Sequence, residues 1–144
     1  MTFYKRGLQL GLLVLLLLTA GQRTVRAQDP DIDAVLTEVR GAISRGDLPV
    51  LLDHAADRVE IALFGESKRY SKAQARYVLQ DFFNTYRPRR FVFRDHSQTD
   101  RGWFAEGEFW YGRADRPLRL YVLLRLRDHR WELREIIIEE RTRR

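Results

Sequence analysis

Apolar positions recur along this chain at two spacings. Ile32, Val35, Leu36, Val39 and Ile43 fall three or four apart, the interval of one face of a helix. Asp29 or Asp31 can cap that helix with Pro30 in its first turn, and Gly46 ends it. Asp47 offers a cap to a second, short helix over residues 48–53, where Pro49 is tolerated in the first turn. Residues 58–64 alternate instead, with Val59, Ile61 and Leu63 opposed to Arg58, Glu60 and Ala62. That is a strand with one buried face, closed by Gly65.

Ser71 and Gln74 stand at capping-box spacing and open a third helix, whose apolar stripe is Ala75, Val78, Leu79, Phe82, Phe83 and Tyr86. Pro88 stops it. Four strand-like runs follow at residues 91–97, 103–111, 118–127 and 131–140, joined by Asp100-Arg101-Gly102, Asp115-Arg116-Pro117 and Asp128-His129-Arg130. Joints this short pair consecutive strands antiparallel. The order is therefore ααβαββββ, an α+β domain with three helices packed on one face of a curved, mainly antiparallel sheet. In the last run Trp131 and Leu133 share a parity that Ile136 and Ile138 do not, so either a bulge intervenes or the strand is buried on both faces.

The first 27 residues have another character. Lys5 and Arg6 precede an aliphatic run over residues 8–18, and a polar stretch leads to Val25-Arg26-Ala27. This is the pattern of a cleaved secretory signal peptide, and about eleven apolar residues are too few to span a bilayer as a lasting anchor. The expected mature chain starts at Gln28 and forms one domain over residues 28–140 with a charged tail at 141–144. Its expected location is secreted or periplasmic. The leader holds Lys5, Arg6, Arg23 and Arg26 and no acid, so of 26 basic residues 22 remain against 20 acidic ones. So small a surplus gives little support to a nucleic-acid partner. The chain has no cysteine, which excludes disulfides, thiolate metal sites and lipid attachment at an N-terminal Cys.

The stretches Tyr70-Ser71-Lys72-Ala73-Gln74-Ala75 and Leu79-Gln80-Asp81-Phe82-Phe83, then residues 120–124 and Ile136-Ile137-Ile138-Glu139, resemble a family of short secreted bacterial proteins of unknown function. That family lies within the nuclear transport factor 2-like superfamily. The resemblance implies a cystatin-like cone, with a pocket between the helices and the concave side of the sheet, and frequently a dimer. The superfamily holds isomerases, dehydratases and plain binding proteins, so the fold alone does not choose among them.

The lining of such a pocket falls to Phe82, Tyr86, Phe93, Asp95 and Trp103. If Phe91 and Phe93 face the core, Asp95 follows them inward by strand parity, and a carboxylate in an apolar pocket can act as a general base. The ordinary alternative is a solvated or arginine-paired Asp95. On the other strand faces Phe104, Trp110, Tyr121 and Leu123 occupy positions that a solvated sheet would fill with polar groups. They mark a homodimer interface rimmed by Glu106, Glu108, Arg119 and Arg125, unless arginine stems shield them. His54, His96 and His129 have no metal-ligand spacing, and no nucleophile elbow or Gly-rich phosphate loop is present. The expectation is a secreted, non-enzymatic binding or protein-interaction module with an apolar pocket. It would need no cofactor or metal, and would take a small apolar ligand or a protein partner. The alternative is an isomerase, dehydratase or hydrolase using Asp95, helped by His54 or Tyr86.

Overall fold

The computed structural model describes residues 30–141. The expected leader, and the tail beyond Arg141, lie outside them. Asp31 caps α1 (Ile32–Arg45) by accepting from the Asp33 N–H, and Gly46 closes it in the left-handed region at φ 65°. Asp47 caps α2 (Leu48–Asp53) by accepting from the Val50 N–H. The third helix, α3 (Lys72–Thr85), opens on the expected capping box. Its Gln74 N–H donates to Ser71 Oγ at 3.2 Å, and the Ser71 N–H donates to Gln74 Oε1 at 3.0 Å.

The strands are β1 (Ala55–Leu63), β2 (Glu66–Ser71), β3 (Pro88–Thr99), β4 (Gly102–Tyr111), β5 (Leu118–Arg127) and β6 (Arg130–Glu139), so the order is ααββαββββ. The added strand is β2. Its residues from Glu66 to Arg69 are exposed on both faces, so no alternation announces it, and it forms by pairing with β1 across the Phe64-Gly65 turn. The strands lie in one open sheet in the order β2-β1-β6-β5-β4-β3. Only β1 and β6 run parallel, so the sheet is mainly antiparallel as expected.

One face of the sheet receives the helices. Leu36, Val39 and Ile43 of α1, with Ala75, Leu79, Phe82 and Phe83 of α3, cluster with Ile61, Phe91, Phe109, Leu120 and Ile138 from the strands. Among the described residues no polar or charged side chain is buried there. Burying aliphatic and aromatic surface at about 25 cal/mol per Å² is what holds the layers together. Ser44 then fastens α1 to the edge strand: its Oγ accepts from the Phe91 N–H at 3.0 Å and donates to the Phe91 carbonyl at 3.2 Å.

Two of the register shifts in the sheet decide which side chains share a face around the expected site. In β6, Leu123 of β5 pairs with Glu135 while Leu124 pairs with Leu133, so Arg134 is the extra residue. This accounts for the change of parity between Leu133 and Ile136, both of which are buried. In β3, Phe93 pairs with Gly107 but Asp95 pairs with Glu106, which makes Arg94 the extra residue. An inserted residue exchanges the faces of everything beyond it. Phe91 and Phe93 therefore lie on the helix side, whereas Asp95 joins Glu106 on the other face. The inward Asp95 expected from simple alternation is corrected, and His96, paired with Ala105, takes the inward parity instead.

Candidate functional site

The five residues expected to line a cone pocket are not gathered in one place. Phe82 is 4% exposed and stacks on Tyr86 at 4.9 Å, and Tyr86 meets Tyr111 edge-on at 5.1 Å. Phe82 also packs on Phe109 at 5.6 Å, so this end of the sheet is closed by rings. Phe93 packs on Phe91 at 4.8 Å, and Trp103 lies 5.5 Å from the ring of His96. Trp103 and Tyr111 are the two ends of β4 on its helix side. At about 3.3 Å per residue they stand roughly 26 Å apart, too far to enclose one small ligand.

Asp95 is exposed, and its Oδ1 accepts from the N–H of His96 at 2.8 Å, closing the bulge rather than addressing a cavity. His54 lies at the C-terminal end of α2, where its Nε2 is 2.8 Å from Glu38 Oε2 of α1. The backbone carbonyl of His54 accepts from the N–H of Leu133 on β6, three strands away from Asp95 on β3. Asp95, His54 and Tyr86 thus belong to three separate environments. No group of three or more His, Asp or Glu among the described residues is placed to hold a metal ion.

The other face of the sheet gathers ion pairs and aromatic rings. Strand registers align Phe104, Leu123 and Glu135 in one row across it, and Glu106, Tyr121, Ile137 and Ala62 in the next. Phe104 and Tyr121 stack at 5.5 Å, and the Arg119 guanidinium sits 5.7 Å from the Tyr121 ring while pairing with Glu106. Trp110 lies farther along β4, where Arg89 and Arg90 each approach its ring to 5.7 Å. Leu123 is only 4% exposed although no helix packs on this side among the described residues. Of the four residues expected at an interface, Phe104, Trp110 and Tyr121 are half-buried, partly beneath arginines, and Leu123 is buried.

This arrangement perturbs its titrating groups. Two hydrogen bonds from Arg94, at 2.6 and 3.0 Å, hold the Glu108 carboxyl below the usual carboxylate range. Partial burial opposes that, and the Arg94 and Arg141 charges reinforce it. The Trp110 indole N–H is buried without a hydrogen bond inside 3.5 Å, yet it faces Glu108 and adds a small further lowering. Burial pushes the Tyr121 phenol up, and the Glu106 charge adds to the shift.

Two charged clefts flank the aromatic rows. One, of about 870 Å³, lies beside Glu106, Glu108, Trp110 and Arg119, with Asp115, Arg116 and Pro117 from the β4–β5 connection on its wall. The other, of about 430 Å³, spans β1, β2, β5 and β6, with Leu123 in its lining. The sequence reading missed this second cleft because Arg58, Arg69 and Arg125 come from three strands. The available signal was their shared outward parity, once β2 was known to be a strand.

Residues 36–139 match the family profile described as a domain of unknown function, DUF4783. None of the curated proteins matches the chain significantly. Among solved structures it is similar to a DUF4783 family protein from Bacteroides ovatus at 21% identity and a TM-score of 0.67, covering 74% of this chain and 94% of that one. A protein of unknown function with a cystatin-like fold from Nostoc punctiforme gives 14% identity and a TM-score of 0.58, covering 75% and 86%. An NTF-2 like protein of unknown function from Burkholderia xenovorans gives 14% and 0.58, covering 78% and 86%. At such identities the structural likeness speaks for the fold alone.

Proposed function

The chain belongs to the DUF4783 family, and from that premise we propose that it is a secreted, non-enzymatic binding module whose working surface is the outer face of its sheet. One contrast carries the reading. The helix side is packed with apolar side chains and holds no buried acid, base or histidine among the described residues. The outer face holds a stacked Phe104–Tyr121 pair between arginine–carboxylate pairs of both signs, with no helix packed on it. General acid–base chemistry needs a proton-transferring group within reach of a bound substrate. Asp95, the base of the alternative enzymatic reading, lies on the outer face and is engaged with its own strand.

The occupant we assign to the aromatic rows is a second copy of this chain. A two-fold contact sets each patch against itself, so a face carrying Arg94 and Arg119 beside Glu106 and Glu108 can pair opposite signs across the axis. Light scattering on the purified protein should report a dimer, and Tyr121→Glu should give a monomer with an unchanged circular dichroism spectrum. A wild-type monomer at tens of micromolar would overturn the assignment.

A further inference from the structure

The smaller outer cleft is lined by six arginines and four carboxylates, and most of its arginines are not neutralised within it. Arg101 pairs with Glu135, and Arg134 reaches Glu132 at 3.3 Å. Arg58 and Arg69 make no ion pair or side-chain hydrogen bond among the described residues. Arg125 meets only the Arg101 carbonyl, at 2.6 Å, and Arg127 has a 3.7 Å contact with its exposed neighbour Asp128. Glu60 accepts instead from Ser67 Oγ at 2.6 Å. Unpaired guanidinium groups around a concavity repel one another, and its walls focus their field toward an anion. Leu123 forms part of the floor of that concavity, and hydrogen bonds from a guanidinium to an anionic oxygen are stronger than neutral ones.

Spacing narrows the ligand class. Arg69 lies on β2 and Arg125 on β5, with β1 and β6 between them. At about 4.8 Å per strand their backbones stand roughly 14 Å apart. Two arginines reaching inward over that span can share one small oxyanion, but Arg58 and Arg69 sit on adjacent strands at one end and Arg125 at the other, an arrangement that a ligand with an oxyanion group at each end matches without drawing all three together. We propose that this cleft binds a small organic polyanion with two separated oxyanion groups, one held by Arg58 and Arg69 and the other by Arg125. Phosphate, sulfate and carboxylate share that chemistry, since each presents two anionic oxygens that a guanidinium fork can meet in a bidentate contact.

This rests on the reading that the outer face is the working face, but it does not require the dimer. The test is isothermal titration at low salt with inorganic phosphate, a hexose 1,6-bisphosphate, a disulfated disaccharide and citrate as probes. At least one two-ended probe should bind about tenfold or more tightly than inorganic phosphate, and the best one identifies the source chemistry. Arg58→Gln/Arg69→Gln should weaken that probe by about tenfold or more, while the exposed helix pair Arg40→Gln/Arg76→Gln should leave it unchanged. The proposal is overturned if no two-ended probe binds better than phosphate, or if the cleft variant binds as the wild type does. An equal loss in the helix variant would also overturn it, since that is general charge attraction. Light scattering on the same samples separates the two readings: a monomer that binds the probe removes only the dimer, and a dimer that binds none removes only the cleft.

Discussion

A Cβ atom at Gly107 would lie 2.5 Å from the Phe91 ring and 2.6 Å from the Val92 carbonyl oxygen. The residue is a glycine because an aromatic ring of the edge strand lies across its backbone, a contact that the alternation of β4 alone does not reveal. Gly107→Ala should therefore lower stability by about 1–3 kcal/mol, since the clash includes backbone that cannot rotate away. Urea unfolding would show it as a lower midpoint with an unchanged slope. Wild-type stability in that variant would mean that Phe91 does not sit where the structure has it.

Local elements follow local rules. Each helix begins on the side chain read as its cap, and α3 has both halves of its capping box. Ser71→Ala should cost about 1 kcal/mol, the usual loss when a helix start is left with an unpaired N–H, again by urea unfolding. A change within about 0.2 kcal/mol would show that water or β2 replaces the cap. The strands behave differently, because two of them contain an extra residue. Arg94 and Arg134 are ordinary in sequence, and each becomes a bulge only against the register of the neighbouring strand. Asp95 was assigned to the wrong face for that reason. The parity change in β6 was visible because apolar residues stand on both sides of it, whereas in β3 the residues beyond the bulge are polar and carry no such mark.

For the whole molecule, export is the expectation drawn from the sequence. Intact-mass measurement of exported protein should give a chain starting at Gln28. Material with residues 1–27 still attached would overturn the cleavage site and the mature charge balance drawn from it. That balance, 22 basic residues against 20 acidic, argues against a broad polyanion surface. The same number conceals the local surplus in the smaller cleft, because a sum over the chain contains no positions.

The sequence by itself determined the three helices with their caps and stops, five of the six strands, the α+β class and the family resemblance. It also marked Phe104, Trp110, Tyr121 and Leu123 as misplaced for a solvated face. Capping contacts and periodicity act over four residues or fewer, so a short window of chain contains their causes. Only the tertiary structure decided that residues 66–71 form a strand, that Asp95 and His96 exchange faces, and that the expected pocket aromatics close the core. It also brought Arg58, Arg69 and Arg125 around Leu123. Those outcomes depend on which strands become neighbours and in what register, and that is set by burial of the whole core rather than by any residue's near neighbours in sequence.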